Sequence, residues 1–399
     1  MFSSQILGKT YQYLLIILAF LIPLTVFGAN LIIVTIVILW LISGDYKNKF
    51  NKITTNKLML ASIAFYFLHI IGLIWTEDIE WGLHIAHKMW YFLLLFPILH
   101  TIVEKKYINY YIFSFLLAIS LTEIISYLTW FEVIPSFYKA TVYNPTPFMS
   151  HISYNPILAF SIYLVCNKLL MTNNLSIFSK FLYSFFVMTM SVNMFITGGR
   201  AGQVMFFVII AVIIFQYFHN QKIKALILTF ISVPVIFFIA FNTSTIFHDR
   251  VEAAIDNVIH YSVNKSTSVG QRITYTLNSF EIIKQYPIAG VGTGDFPLEY
   301  KKIKNIRTPE MENSTNPHNM YVLITVQLGL LGLLSFLSIF YYQLKFSIQS
   351  SDQLSRNVGT TLSILFLIIM FSDSYLLGHF TTLMFVFFSS FLHKDYEKS

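Results

Sequence analysis

The sequence predicts an all-α, polytopic membrane protein, and three observations carry that class. Of 399 residues, 56% are hydrophobic and only 11% charged, against about 25% charged in an ordinary soluble protein. Mean hydropathy is +0.65, and the apolar residues recur in runs near the length that crosses a ~30 Å hydrocarbon core. These runs lack the apolar-out, polar-in alternation of a lipid-facing barrel strand, so the spans must be helices, whose backbone groups are satisfied internally. An ordinary soluble globular fold is excluded.

The apolar runs fall near 11–28, 29–43, 58–75, 89–103, 108–130, 152–171, 181–198, 202–218, 225–243, 318–341, 359–377 and 378–392. They predict about twelve transmembrane helices in a single membrane domain, 1–399. Only Lys9 precedes the first run and no small-residue cleavage site follows it, so it reads as an uncleaved span. With the N-terminus inside, the inner segments hold fifteen Lys and Arg, and the short outer segments hold only Lys88, Lys139 and Arg200. That asymmetry satisfies the positive-inside bias and predicts two cytoplasmic termini.

One long segment, 244–317, is then periplasmic or extracellular. It carries eight basic and eight acidic residues, so the overall +7 charge makes no polyanion-binding patch of the nucleic-acid kind. Val251, Ala254, Ile255, Val258 and Ile259 repeat at helical spacing, as do Ile273, Leu277, Phe280 and Ile283, predicting two amphipathic helices. Pro287 ends the second. Gly290-Val-Gly-Thr-Gly-Asp295 then permits positive φ and close backbone approach. A second outer stretch, Glu77–Lys88, puts Ile79, Leu83, Ala86 and Trp90 on one face and reads as interfacial. The lone Cys166 can form no intramolecular disulfide and no cysteine metal cluster.

Polar groups held at a membrane boundary are costly, and they mark where function lies. Arg200 sits in a short glycine-flanked turn, Ile196-Thr-Gly-Gly-Arg-Ala-Gly202, on the side the charge bias disfavours. Its bland alternative is a snorkelling or capping Arg. Arg272 follows Ser266-Thr-Ser-Val-Gly270, a stretch that could cap the second loop helix. A cation there opposes the macrodipole but could hold an anionic ligand together with free backbone N–H groups; a solvated loop Arg is the alternative. His318, in Asn316-Pro-His-Asn-Met320, is suited to take a proton from a hydroxyl near neutral pH, or else simply bonds a loop carbonyl. Asn319 of the same motif is an additional candidate. Asp373 and His379 could line the same cavity or pair with each other. Glu80, His84 and His87 have a helical spacing that could in principle hold a divalent cation, but no fourth ligand is near and no metal is expected. Gly290-x-Gly-x-Gly294 resembles a phosphate loop only superficially, because no strand precedes it.

The order of these motifs resembles the O-antigen ligase superfamily: the Gly-Gly-Arg turn, Gln271-Arg-Ile-Thr-Tyr275, Tyr286-Pro-Ile-Ala-Gly-Val-Gly-Thr-Gly-Asp-Phe296, and Pro317-His-Asn-Met-Tyr321 leading to Gln327-Leu-Gly-Leu-Leu-Gly332. Similarity is strongest over about 185–335. Gly199 stands where many members have Ser. The resemblance implies a metal-independent, inverting glycosyltransferase of the integral-membrane GT-C type, without cofactor, on the periplasmic face of the bacterial inner membrane. Its donor would be a glycan on undecaprenyl diphosphate and its acceptor a sugar hydroxyl of lipid A-core. Arg200 and Arg272 would hold the donor diphosphate, and His318 would be the general base.

The O-antigen polymerase, which uses the same donor, is the near alternative. Protein O-oligosaccharyltransferases of the superfamily commonly carry a further C-terminal region, whereas seven residues follow the twelfth run here. A transporter is the competing class. Such folds show mid-membrane charges and paired repeats; Glu123 is the main candidate for the former, and no two-fold repeat is visible.

Overall fold

The computed structural model describes residues 4–136, 138 and 140–394. Both chain ends, with Lys398, and also Lys139 lie outside the described residues. Among the described residues the regular structure is helical, apart from one isolated bridge between Thr141 and Asn144. In chain order the helices are α1 (Ser4–Leu21), α2 (Val26–Ile42), α3 (Tyr46–Thr54), α4 (Lys57–Gly72), α5 (Ile79–Lys88), α6 (Phe96–Ile102), α7 (Ile108–Trp130), α8 (His151–Met171) and α9 (Ile177–Ile196). They continue with α10 (Arg200–Tyr217), α11 (Lys222–Thr243), α12 (Thr245–Ile259), α13 (Ser268–Gln285), α14 (Phe296–Arg307), α15 (Met320–Gln349), α16 (Gln353–Ile369) and α17 (His379–Leu392).

Each of the twelve apolar runs overlaps a helix, but the run 11–28 crosses the turn between α1 and α2, the run 359–377 extends past the end of α16, and the helices differ in reach. Among the described residues six elements are long and apolar enough to cross a bilayer: Ile79–Ile102, Lys105–Trp130, Ile177–Ile196, Arg200–Tyr217, Lys222–Thr243 and Met320–Gln349. α2 and α3 form a further candidate bent by 116°, at Gly44 and Asp45, whose φ values are 68° and 51°. α1, α4, α16 and α17 are apolar but shorter. The stretch read as interfacial does become a helix, α5, begun by Asp78 accepting from Trp81 N. It runs on through a π-helical turn, Tyr91–Leu95, into α6. Pro97, the second residue of α6, has no N–H to close an ordinary i→i−4 bond, a local cause for the widened turn.

The chain divides into two compact units. The first holds the described residues up to Ser43, Ile102–Val251 and Gln349–Leu365. Here α8 packs on α9 and α10, and α1 on α7. Tyr163 of α8 donates to Gln216 Oε1 of α10 at 2.8 Å, and Gln216 donates to Thr361 Oγ1 of α16 at 3.0 Å. Within α11 only Ala225 and Ala240 are buried, so its apolar surface suits contact with lipid tails, which are as apolar as leucine.

The second unit holds Gly44–Thr101, Glu252–Ile348 and the residues from Phe366 onward. α17 is buried on every face from Thr381 to Leu392, the pattern of a helix in a protein interior. The two helices expected in the long loop are α12 and α13, and a third, α14, follows with Pro297 at its start. Periodicity over α14 was obscured by the run Lys301-Lys302-Ile303-Lys304, but Phe296 and Tyr300 lie on one face and are fully buried. They join Tyr275, Ile282, Val291, Met311, Val322 and Leu323 in one apolar core shared by α13, α14 and the start of α15.

The glycine loop is threaded into a break in α15. Gly329 has φ 61° and ψ −159°, which interrupts the helix. The backbone groups freed there are taken by the loop: Val291 N donates to Val326 O and Gly292 N to Gln327 O, each at 2.9 Å. In return, Leu330 N donates to Pro287 O at 2.9 Å and Leu331 N to Ile288 O at 3.2 Å. Non-helical backbone at membrane depth requires such internal partners. Only glycine fits, since a Cβ on Gly290 would lie 2.4 Å from the Gln327 backbone and one on Gly329 2.1 Å from Ile288 O.

Candidate active site at the start of α15

The polar turn before α15 brings several predicted residues together. His318 has φ 52°, a left-handed conformation that histidine adopts more readily than most residues. Asn316 Oδ1 holds that turn by accepting from His318 N at 2.9 Å and from Ser374 Oγ at 2.8 Å. The His318 Nδ1 atom lies 3.1 Å from Asp373 Oδ1, and Ser374 N also donates to that oxygen, at 2.7 Å. Asp373 and His379 therefore do not pair with each other. His379 Nδ1 instead meets the Tyr91 hydroxyl at 2.7 Å, beside the π turn.

The electrostatics favour an ionised Asp373. Burial alone would raise its carboxyl, but the His318 hydrogen bond and charge, the Ser374 N–H and the Arg272 charge outweigh it and leave the carboxyl below its ordinary value. Arg272 is one turn into α13, whose N-cap Thr267 accepts from Gly270 N at 3.1 Å. The predicted capping stretch is thus real, and Arg272 projects its charge toward Asp373. Tyr275, one residue beyond the turn below, stacks its ring on His318 with centroids 6.1 Å apart and planes at 25°. Tyr300 meets Tyr275 edge-on at 5.5 Å. Asn319 has a different use: its Oδ1 caps α15, accepting from Tyr321 N and Val322 N at 3.0 and 3.1 Å.

The glycine loop offers no anion cradle. Gly292 N, Thr293 N and Gly294 N donate to Gln327 O, Gly72 O and Gln327 Oε1 respectively. Asp295, 2% exposed, accepts from Thr76 Oγ1, Glu77 N and Asp78 N at 2.7, 2.7 and 2.9 Å. The loop is a structural clamp on α4 and α5. Glu80, His84 and His87 lie on the exposed face of α5, and among the described residues no group of three or more His, Cys, Asp or Glu is placed to hold a metal ion.

Arg200 belongs to the first unit and begins α10 directly after a three-residue turn from α9. Asn155 of α8 organises that turn: its Nδ2 donates to Gly199 O at 3.2 Å, and its Oδ1 accepts from Thr197 Oγ1 at 2.8 Å. Gln203 Nε2 donates to Thr197 O at 3.0 Å. A Cβ on Gly199 would lie 2.6 Å from the Asn155 side chain, and one on Gly202 would lie 2.2 Å from its Cβ, so these glycines serve close packing. The Arg250 guanidinium stands beside the same turn, 3.2 Å from where a Gly198 Cβ would be.

Residues 185–337 match the O-antigen ligase family. That segment, under half of the chain, is similar to the O-antigen ligase family. The matched segment contains the Arg200 turn, Arg272, the glycine loop, His318 and the α15 break, whereas Asp373 and His379 lie beyond it. An uncharacterized protein of Haemophilus influenzae is 30% identical over 154 residues, 36% of this chain and 37% of that protein. The match thus spans little more than a third of that relative's length.

The sequence reading did not single out Asn316, Ser374, Tyr275, Asn155 or Arg250 as site residues. Asn316 and Tyr275 stand inside the motifs it quoted, so proximity in sequence was the available signal. Ser374, Asn155 and Arg250 meet their partners only through tertiary folding, and nothing in their local sequence announces it.

Proposed function

We propose that the chain is an O-antigen ligase, an integral-membrane glycosyltransferase that moves a glycan from undecaprenyl diphosphate to a sugar hydroxyl of lipid A-core. The observation that carries the reading is the His318–Asp373 pair at the start of α15, inside and beside a family-matched segment. With Nδ1–H donated to the carboxylate, the lone pair of Nε2 is left to accept a proton. The acceptor oxygen attacks the anomeric carbon as its proton passes to His318, the bond to the diphosphate breaks on the opposite face, and undecaprenyl diphosphate leaves. One displacement inverts the anomeric centre. Charge developing on the leaving diphosphate is met by Arg200 and Arg272, whose planar donors suit phosphate oxygens without a metal or other cofactor.

The same reading takes all twelve apolar helices as crossings, puts both termini in the cytoplasm of a bacterial inner membrane and exposes 244–317 to the periplasm. Both lipid-anchored substrates would enter sideways from the bilayer. An O-antigen polymerase, which joins the same donor to itself, is the near alternative, and a protein O-oligosaccharyltransferase a more distant one.

Deleting the coding sequence and examining surface polysaccharide separates these. Loss of a ligase leaves undecaprenyl-linked polymer and bare core; loss of a polymerase leaves core bearing one repeat unit. Full-length polymer still attached to core would sink both. Transport of substrate by purified protein in liposomes, with no glycan joined to acceptor, would move the chain to the transporter class.

A further inference from the structure

A second site lies in the first unit, lined by residues that the proposed transfer does not use. A cavity of about 660 Å³ opens where the start of α7, the end of α8 and the start of α16 meet, with Tyr183 of α9 at its edge. Its walls are apolar, formed by Phe113 and Leu116 of α7, Leu164 and Val165 of α8, and Val358 of α16. Its mouth is polar, with Lys105, Asn109, Asn167, Lys168, Thr172 and Asp352. Phe113 is 67% exposed, so one wall opens sideways to whatever surrounds α7.

The charges at the mouth do not cancel. Lys105 pairs with Asp352 at 3.7 Å, and among the described residues no carboxylate comes within ion-pair distance of Lys168. Asn167 is 7% exposed, and its Nδ2 makes only a long 3.4 Å bond to the Tyr163 hydroxyl. One ammonium and several amide and hydroxyl donors therefore ring an apolar slot. Water fills such walls poorly. A hydrocarbon chain under an anionic head satisfies both parts, the tail along Phe113 and Leu164 and the phosphate oxygens at Lys168 and Asn167.

We propose that this cavity holds an anionic glycerophospholipid. Its assignment to the cytoplasmic leaflet rests on the topology proposed above, because Lys105, Lys168 and Asp352 belong to segments read as inner; the binding itself does not depend on the transferase reading.

Native mass spectrometry of the full chain in detergent micelles, supplemented with phosphatidylglycerol or phosphatidylcholine, tests the site. Wild type should retain phosphatidylglycerol about fivefold better than phosphatidylcholine, the preference one lysine confers at an anionic head. Lys168→Glu should abolish that preference, whereas Lys180→Glu, an exposed charge that does not line the cavity, should keep it. Leu164→Trp, which fills the slot, should lower retention of either lipid. Equal retention of both lipids by wild type overturns the proposal. So does the same loss from Lys180→Glu as from Lys168→Glu, undiminished binding to Leu164→Trp, or a dimer mass in place of bound lipid. None of these outcomes touches glycan transfer, so either reading can fail alone.

Discussion

His318 Nδ1 and Asp373 Oδ1 lie 3.1 Å apart although 55 residues separate them in the chain. The bond is reinforced from both sides, since Asn316 holds the His318 backbone and, through Ser374, the segment that carries Asp373. The His318 side chain is 37% exposed and that of Asp373 15%. A carboxylate partly withdrawn from water, bonded to an imidazole that is still reachable, orients one ring nitrogen and leaves the other outside that bond. That division of labour is what a general base requires.

Asp373→Asn should therefore impair transfer far more than it impairs folding. The asparagine amide donates to Nδ1, which forces the proton onto Nε2 and removes the lone pair needed for the acceptor hydroxyl. A loss of about 10²–10⁴-fold in turnover is expected, as for removal of a base, with donor binding little changed. His318→Ala should fall in the same range. A single-turnover assay on purified protein checks this, and near-normal rates for both variants would reduce the pair to a structural contact.

The lowered Asp373 carboxyl also predicts a pH dependence of stability. Above the ordinary carboxyl value of about 4, the group is ionised in both folded and unfolded chains, and the folded chain holds the whole benefit. As pH falls through the lower folded-state value the carboxylate is protonated in both states, and the benefit is gone. Melting temperature of the wild type should thus drop below about pH 4 more steeply than that of Asp373→Asn. Parallel curves would mean that Asp373 gains nothing from its partners.

Much of this site is written locally and some of it is not. Composition and run length disclose helices, and turn-formers announce the Asn316-Pro-His318 turn because asparagine bonds its own backbone two residues on. The three loop glycines were legible as positive-φ positions, and their φ values are 70°, 117° and 94°. What they pack against was not legible, since the α15 break at Gly329 lies within an unbroken apolar run whose hydropathy carries no trace of it. Helix length was also hidden: α4 ends at Gly72, whose carbonyl accepts from Thr293 N of the glycine loop, and α17 begins only after the Tyr375–Leu377 turn; the first of these limits comes from a tertiary contact.

Arg272 should tolerate neither Ala nor Lys. If it grips phosphate, the Ala variant loses a charged hydrogen bond worth ~1.5–3 kcal/mol, or about 10- to 100-fold in donor affinity. Lysine restores charge without the planar fork and should recover only part of it. Arg200→Ala and Arg200→Lys should follow the same order. Binding of undecaprenyl diphosphate to purified variants measures this directly, and wild-type affinity in both Ala variants would remove them from the donor site.

Gly329→Ala tests the clamp that carries the site. The φ 61°, ψ −159° backbone is essentially reserved for glycine and costs another residue ~1–3 kcal/mol. The added Cβ would also strike the Ile288 carbonyl oxygen at 2.1 Å, which is backbone and cannot swing aside. The loop must then leave the break, freeing the N–H groups of Val291 and Gly292 and exposing the Leu330 and Leu331 N–H groups within an apolar segment. Each buried donor left unpaired costs a further ~1–3 kcal/mol. Asp295→Ala acts at the other end of the clamp by stranding Glu77 N and Asp78 N, while the Thr76 hydroxyl keeps the Thr293 carbonyl as its acceptor. Both variants should accumulate poorly in membranes and melt earlier in detergent, with activity falling in proportion to folded protein. Wild-type melting of Gly329→Ala would show that α15 can run straight, and the threaded loop would lose its place in the account of how His318 is held.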